Sequence, residues 1–343
     1  MEDRLVITIY DIAKKAKVSG STVSKALNNH SDISDKTKAR IKNLAAEMGY
    51  LPNSHARSLI TKRSYNIGVL FVDEANSGLT HDFFAEILES ARAELEQRGY
   101  DITFISSGFA GQKDASFLEH CRYRGVDGVI VACIDFGSEH AKELINSNIP
   151  VVLIDKEIEG KSSIISKNYE GMKKAVNYLV KKGHKDIGFI HGQHTSTDVT
   201  QSRLNGFYEA MKEKGIEPNK DWILEGAYHE WQMTEKRVRE ILAMDYKPTA
   251  LILPDDYAAL SAYRVTNQLN IKIPEDISLM GYDGLEISQI MSPRLTTIKQ
   301  DTKMIGKLAG EKIVGLIEDN GRPEVIRVSS EILEGESVKR LRL

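Results

Sequence analysis

An all-α head joined through a short linker to a two-lobed, doubly wound α/β body is the fold class this sequence predicts, and three observations predict it. Residues 8–48 carry apolar side chains at helical spacing in three short segments. From Tyr65 onward, aliphatic runs of strand length alternate with amphipathic helical segments, the pattern of parallel strands joined by helical crossovers. Charge divides along the same line: residues 1–63 hold 12 Lys or Arg against 6 Asp or Glu, a surplus of +6 in a chain of net charge −3, so the remainder carries −9. A basic head on an acidic body favours phosphate contacts at one end and discourages non-specific adhesion at the other.

The head reads element by element. Thr8 can cap a first helix that places Ile9, Ile12, Ala13 and Ala16 on one face and ends at Val18. Ser19 can cap a second helix, Gly20 to Leu27, and so short a connection forces the two helices to cross steeply, which is helix-turn-helix geometry. Val23, Ala26 and Leu27 face inward there. Gly20, Ser21, Thr22, Ser24 and Lys25 stay outward, small enough at the start of the helix to let its backbone approach a major groove. Ser34 caps a third helix with the stripe Ile41, Leu44, Ala45 and Met48, stopped by Gly49. Pro52 to Leu59, PNSHARSL, is too short to hold a helix alone in water, because the first turn is costly to nucleate.

In the body, NIGVLFV, DITFI, VDGVIVA and PVVLI form one set of strands alternating with helices. DIGFIHG, the stretch Ile223 to Ala227, TALILP and ISLMGYD form a second. Two lobes follow, and the cleft where strand carboxyl ends converge is the natural ligand site.

The stretch TIYDIAKKAKVSGSTVSKALN resembles the opening signature of the lactose/galactose repressor family (LacI/GalR), and the resemblance runs close to full length. It implies a helix-turn-helix domain over 1–52, a hinge helix and linker over 53–63, and a periplasmic-binding-protein-like effector-binding and dimerisation body over 64–343. SPRLTTIKQD and PEVIRV look like the late returns by which such lobes exchange their last elements. The first lobe is expected over about 64–162 and 293–322, and the second over about 163–292 and 323–343, with crossings near 162, 292 and 322. The DNA-binding set the resemblance implies is Thr8, Tyr10, Ser19, Gly20, Ser21, Thr22, Ser24, Lys25 and Asn28, with the hinge positions Asn53, Ala56, Arg57 and Leu59, the last matching a leucine that wedges between base pairs. Ser21 and Lys25 are the base-edge candidates; Thr22 and Ser24 are phosphate contacts. Two subunits would place both recognition helices on a pseudo-palindromic operator.

The effector residues carried over are Arg203, a planar fork for hydroxyl or carboxylate groups, and Asp283, which after the strand ISLM can accept adjacent hydroxyl hydrogens. Asp155, Tyr228 and Asp255 join them, with Phe83 and Phe84 as the opposite wall. Two departures matter. Asp255 stands where many relatives have asparagine, so PDDYAAL presents two acids, Asp255 and Asp256; Lys167 stands where aspartate commonly precedes Asn168. A mono- or oligosaccharide fits this acceptor-rich pocket best, while a purine, nucleoside or sugar phosphate stays open.

Cys121 and Cys133 lack metal-ligand spacing and disulfide density, so reduced thiols in a cytoplasmic protein are expected. No metal, cofactor, export signal or membrane span is indicated, since no run approaches the ~20 apolar residues a helix needs to cross a bilayer. The sequence holds no G-x-G-x-x-G after the first strand, phosphate loop, H-E-x-x-H or G-x-S-x-G, which argues against a doubly wound enzyme with an accessory helical module. His184, His191 and His194 read as surface or turn residues. A sugar-binding signalling protein is the other rival. ESVKRLRL carries no heptads, so a homodimer is expected. A phosphoprotein corepressor is left open.

Overall fold

The computed structural model describes residues 7–27, 29–50, 61, 63–72, 78–109, 111, 114–193, 198–319 and 321–341. It divides into two units, Met1–Ser64 and Tyr65–Leu343.

The head contains helices Ile9–Ala16, Gly20–Leu27 and Asp35–Glu47. Thr8 begins the first through a reciprocal box: its backbone N–H donates to Asp11 Oδ2 at 2.9 Å, while its own Oγ1 accepts from the Asp11 N–H at 3.4 Å. That helix stops at Ala16, two residues before the expected Val18, because Lys17 turns left-handed at φ 54°. Ser19 and Ser34 accept from Thr22 N and Thr37 N at the starts of the next two, and Gly49 takes φ 69° after the third. Ile12, Ala13, Val23, Ala26, Ile41 and Ala45 form the small core the periodicity anticipates.

Among the described residues the body holds two six-stranded sheets. In chain order the strands are β1 Asn66–Phe71, β2 Asp101–Ile105, β3 Gly128–Ala132, β4 Val151–Ile154, β5 Ser162–Ser166, β6 Ile187–His191, β7 Ile223–Glu225, β8 Ala250–Ile252, β9 Ser278–Asp283, β10 Thr296–Lys299, β11 Val325–Val328 and β12 Glu331–Leu333. The first sheet runs β11-β5-β4-β3-β1-β2 with every pair parallel. The second runs β12-β10-β9-β8-β6-β7, parallel except where β12 pairs antiparallel with β10. Alternate residues feed opposite faces: Ile130 and Val152 pack under helices Asp82–Gln97 and Thr302–Glu318, while Val129, Val131 and Leu153 pack under Phe117–Arg124 and Glu139–Ile145.

The sheets correct the lobe boundaries. Strand β5, assigned to the second lobe beyond residue 162, pairs with β4, and β10 pairs with β9 rather than joining the first lobe. Strand β11, placed in the second lobe after residue 322, pairs with β5 in the first. The chain therefore crosses at Lys167, at Gln300–Asp301 and at Ser329–Ser330. Pairing register decides this, and periodicity carries no record of it. Helix Thr302–Glu318 belongs to the first lobe and lies close on Asp82–Gln97; a Cβ at Gly306 would meet the Ile87 carbonyl oxygen at 2.1 Å. Among the described residues no helix is long and apolar enough to cross a membrane.

Candidate DNA-binding face and effector cleft

On the second helix of the head the outward residues stand where the sequence places them: Ser21 and Lys25 are exposed, and Thr22 and Ser24 are partly so. Ser19 Oγ lies 2.7 Å from Ser21 Oγ and 2.8 Å from Thr22 Oγ1, so a hydroxyl cluster caps the end that would enter a groove. Tyr10, 79% exposed, lays its ring edge beside Gly20. Lys25 is engaged: its Nζ sits 2.5 Å from Asp32 Oδ2. Asn28, Asn53, Ala56, Arg57 and Leu59 lie outside the described residues.

The cleft gathers residues from both lobes at strand carboxyl ends. Three of these residues adopt a backbone L side chains rarely take: Asp155 after β4 (φ 54°), Cys133 after β3 (φ 50°) and Asp283 ending β9 (φ 109°), as does His229 a few residues after β7 (φ 51°). Strained residues concentrate where surrounding structure over-determines them, which is common at ligand sites.

Arg203 is the centre of the second-lobe wall. It lies on the buried stripe of helix Asp198–Glu213, with Thr200, Gly206, Phe207, Ala210 and Met211 at helical spacing, so the fold carries it inward. Its Nε donates to Asn168 Oδ1 at 2.9 Å and its Nη1 to the Pro254 carbonyl at 3.0 Å. The guanidinium lies 3.5 Å from the Tyr282 ring centroid, and Nη2 is 3.7 Å from Asp283 Oδ1. Burial works against its charge, and Tyr228, Tyr282, Asp283 and Asp155 outweigh that to hold the guanidinium protonated.

Around it stand more carboxyl groups than one guanidinium can neutralise. Asp283 accepts from Gln300 Nε2 at 2.8 Å; burial pushes its carboxyl up to about 8 while Arg203 pulls the other way. Asp155 accepts from the Ser166 N–H at 2.8 Å and is raised by burial. Asp255 caps helix Asp256–Gln268, its oxygens accepting from Ala258 N and His229 N at 2.6 Å each, and burial raises it too. Asp256, fully buried, accepts from Leu285 N and Thr297 Oγ1 and is raised well above the carboxylate range by burial and then by Asp283. Asp255 and Asp256 thus share work with the scaffold, tying the helix to neighbouring backbone. Asp283 and Asp155 keep more of their carboxylates for a ligand.

Tyr228 packs its ring on Gly192, where a Cβ would come within 2.0 Å, and its hydroxyl is 3.1 Å from Thr200 Oγ1. A pocket of about 410 Å³ opens beside it, lined by Gln193, Glu225, Ala227, Glu230, Met233 and Arg237. Of the two phenylalanines, Phe84 stands at the cleft, 4.9 Å from the His81 ring. Phe83 does not: it packs with Ile67, Ile87 and Ala91 in the first-lobe core, because adjacent positions on a helix point about 100° apart. Lys167 starts helix Asn168–Lys181 at the first crossing.

The sequence missed the residues that bridge the lobes. His81 stacks on His229 at 4.1 Å, and His229 stacks on Tyr257 at 4.1 Å. Lys156 pairs with Asp198 at 3.1 Å across the rim. The nearest available signal was position: His81 precedes a crossover helix, and His229 and Tyr257 adjoin residues already singled out. His184 and His191, read as surface or turn residues, are buried; His184 follows the turn at 182–183 and is held by Thr249 Oγ1 and the Lys339 carbonyl. His194 lies outside the described residues. Among the described residues no group of three or more His, Cys, Asp or Glu is placed to hold a metal ion.

Two family models match the chain: bacterial regulatory proteins of the lacI family over residues 8–53, and a periplasmic binding protein-like domain over residues 176–338. The chain is 32% identical, over 97% of its length and 99% of the relative's, to the HTH-type transcriptional repressor PurR of Aliivibrio salmonicida (strain LFI1238). It is 31% identical, over 98% and 99%, to the probable HTH-type transcriptional repressor ExuR of Bacillus subtilis (strain 168). The lac repressor dimer bound to operator and the anti-inducer ONPF is similar in structure, with TM-score 0.80 and 27% identity over 97% of this chain and 99% of that one. Full-length similarity to repressors, a helix-turn-helix head and a two-lobed body agree: the chain belongs to the LacI family of DNA-binding transcriptional repressors, not to a family of enzymes.

Proposed function

We propose that this repressor binds a pseudo-palindromic operator as a homodimer and is controlled by a small polyhydroxylated effector in the cleft between its lobes. One observation carries the effector class: Arg203, flat on Tyr282 and fixed by Asn168 and Pro254, turns its Nη2 edge toward Asp283, which sets a donor fork beside an acceptor. Adjacent hydroxyls of a sugar meet that pair by donating to an Asp283 carboxyl oxygen and accepting from the guanidinium. Asp155, Asp255, Tyr228 and Phe84 complete the site in this reading. The homodimer accords with the lac repressor dimer bound to operator.

On DNA, the second helix of the head enters the major groove with Ser21 and Lys25 toward base edges and Thr22 and Ser24 toward phosphates, supported by Thr8, Tyr10, Ser19, Gly20 and Asn28. Asn53, Ala56, Arg57 and Leu59 order as hinges at the operator centre.

A second reading rests on the flat stack His81–His229–Tyr257, which suits a planar heterocycle. Thermal-shift screening of the full chain against mono- and oligosaccharides, sugar phosphates and nucleobases decides between them, because a ligand of the native state raises apparent stability. Stabilisation by a sugar, abolished in Arg203→Gln, supports the first reading; stabilisation by nucleobases alone replaces it.

A further inference from the structure

The loop after the second helix of the head is built, and it delivers an acid to the DNA-facing lysine. Asn29 takes the left-handed conformation at φ 57°, its N–H donating to the Ala26 carbonyl, while the His30 N–H reaches back to the Lys25 carbonyl at 3.0 Å. This is the paired-bond turn that closes a helix, with asparagine in the position glycine usually holds. The Asn29 Oδ1 accepts from Lys42 Nζ, and Ile33 packs against the head core, so the turn is pinned on both sides. What the turn presents is Asp32, whose carboxylate meets Lys25 Nζ and is held below the usual carboxylate range by that hydrogen bond.

We propose that Asp32 is a positioning residue for DNA recognition: it tethers the Lys25 ammonium toward a base edge and withholds it from neighbouring phosphates. An ammonium has three donors, and one carboxylate oxygen occupies one of them. A tethered Lys25 can still donate twice to a guanine edge, with part of its side-chain freedom already lost before binding. On random duplex the same tether restrains it from swinging to the backbone, where any phosphate would accept it. The inference rests on the reading that Lys25 faces a base edge.

Asp32→Asn keeps size and removes the charge. The probes are a 30-base-pair random duplex and an inverted-repeat duplex selected by the wild-type chain from a random library. The variant should bind random duplex about two- to fivefold tighter, the scale of an exposed ion pair. Its log-affinity against log-salt slope on random duplex should steepen by about 0.9, one extra phosphate contact. Binding to the selected duplex should hold or weaken. In a Lys25→Gln background the Asp32→Asn change should lose these effects. Circular dichroism of each variant confirms a folded head.

Equal tightening on both duplexes, an unchanged random-duplex slope, or the same gain in the Lys25→Gln background would overturn the proposal, because Asp32 would then act as simple repulsion or not at all. The underlying reading fails separately: a Lys25→Gln loss uniform across every base substitution in the selected duplex shows that Lys25 reads no base.

Discussion

His81 of the first lobe lies flat on His229 of the second, ring centroids 4.1 Å apart and planes 17° from parallel. This contact and the Lys156–Asp198 pair at the rim each join one lobe to the other. A stacked pair of this kind contributes about 0.5–1.5 kcal/mol beyond the area it buries. His229→Ala is therefore expected to loosen the lobes, increasing the radius of gyration of the body in small-angle scattering and weakening effector binding, with only a modest fall in melting temperature. An unchanged scattering profile would show that the stack does not hold the lobes together.

Arg203→Lys preserves charge and removes the fork. An ammonium cannot satisfy Asn168 Oδ1 and the Pro254 carbonyl while lying flat on Tyr282. A buried acceptor left without its donor costs about 1–3 kcal/mol, so a loss of about 2 kcal/mol or more is expected here, together with at least tenfold weaker effector binding. Denaturant titration and calorimetry check the two halves independently.

Asp283 makes the stability of the body depend on pH. Its folded carboxyl titrates at about 8 against 3.8 for the free group, so the folded state binds more protons than the unfolded between those values. The contribution is complete below 3.8 and is lost as pH rises through about 8. The stability gap between Asp283→Asn and wild type should therefore move in favour of the variant as pH rises from 5 to 8.5. A gap that stays level across that range would show that the carboxyl is already ionised.

His184 acts in the opposite direction. Burial lowers its folded value below 6.5, so below that pH the unfolded chain takes up a proton that the folded chain refuses. Stability contributed by the neutral ring is present above 6.5 and falls away as pH drops toward the folded value. Compared with wild type, His184→Gln should show a shallower loss of stability between pH 6.5 and 5, measured by urea unfolding.

Gly306→Ala tests the first-lobe packing. Its new methyl would meet the Ile87 carbonyl at 2.1 Å and Ser90 Cβ at 2.8 Å, so helices Asp82–Gln97 and Thr302–Glu318 must separate. Overpacking of this kind costs about 1–3 kcal/mol, and a melting temperature matching wild type would mean that the helices adjust without cost.

Local chemistry made the head legible. Caps at Thr8, Ser19 and Ser34, the stop at Gly49 and the apolar stripes act over three or four residues, and the sequence states them directly. Arg203, Tyr228, Asp155 and Asp283 were named through the family resemblance, and the fold brings them together. Phe83 and Phe84 were not separable, since adjacent aromatic residues compete for core and cleft and only packing assigns them.

By itself, then, the sequence determined a basic helical reader, an acidic body of alternating strands and helices, and the residue types that could line its cleft. Tertiary structure alone decided which sheet received β5, β10 and β11, that His81 would meet His229, and that Asp32 would turn back onto Lys25. The physical reason is range. Caps and periodicity are short-range preferences written residue by residue, whereas strand partners and contacts between lobes are settled by burial and register summed over the whole body.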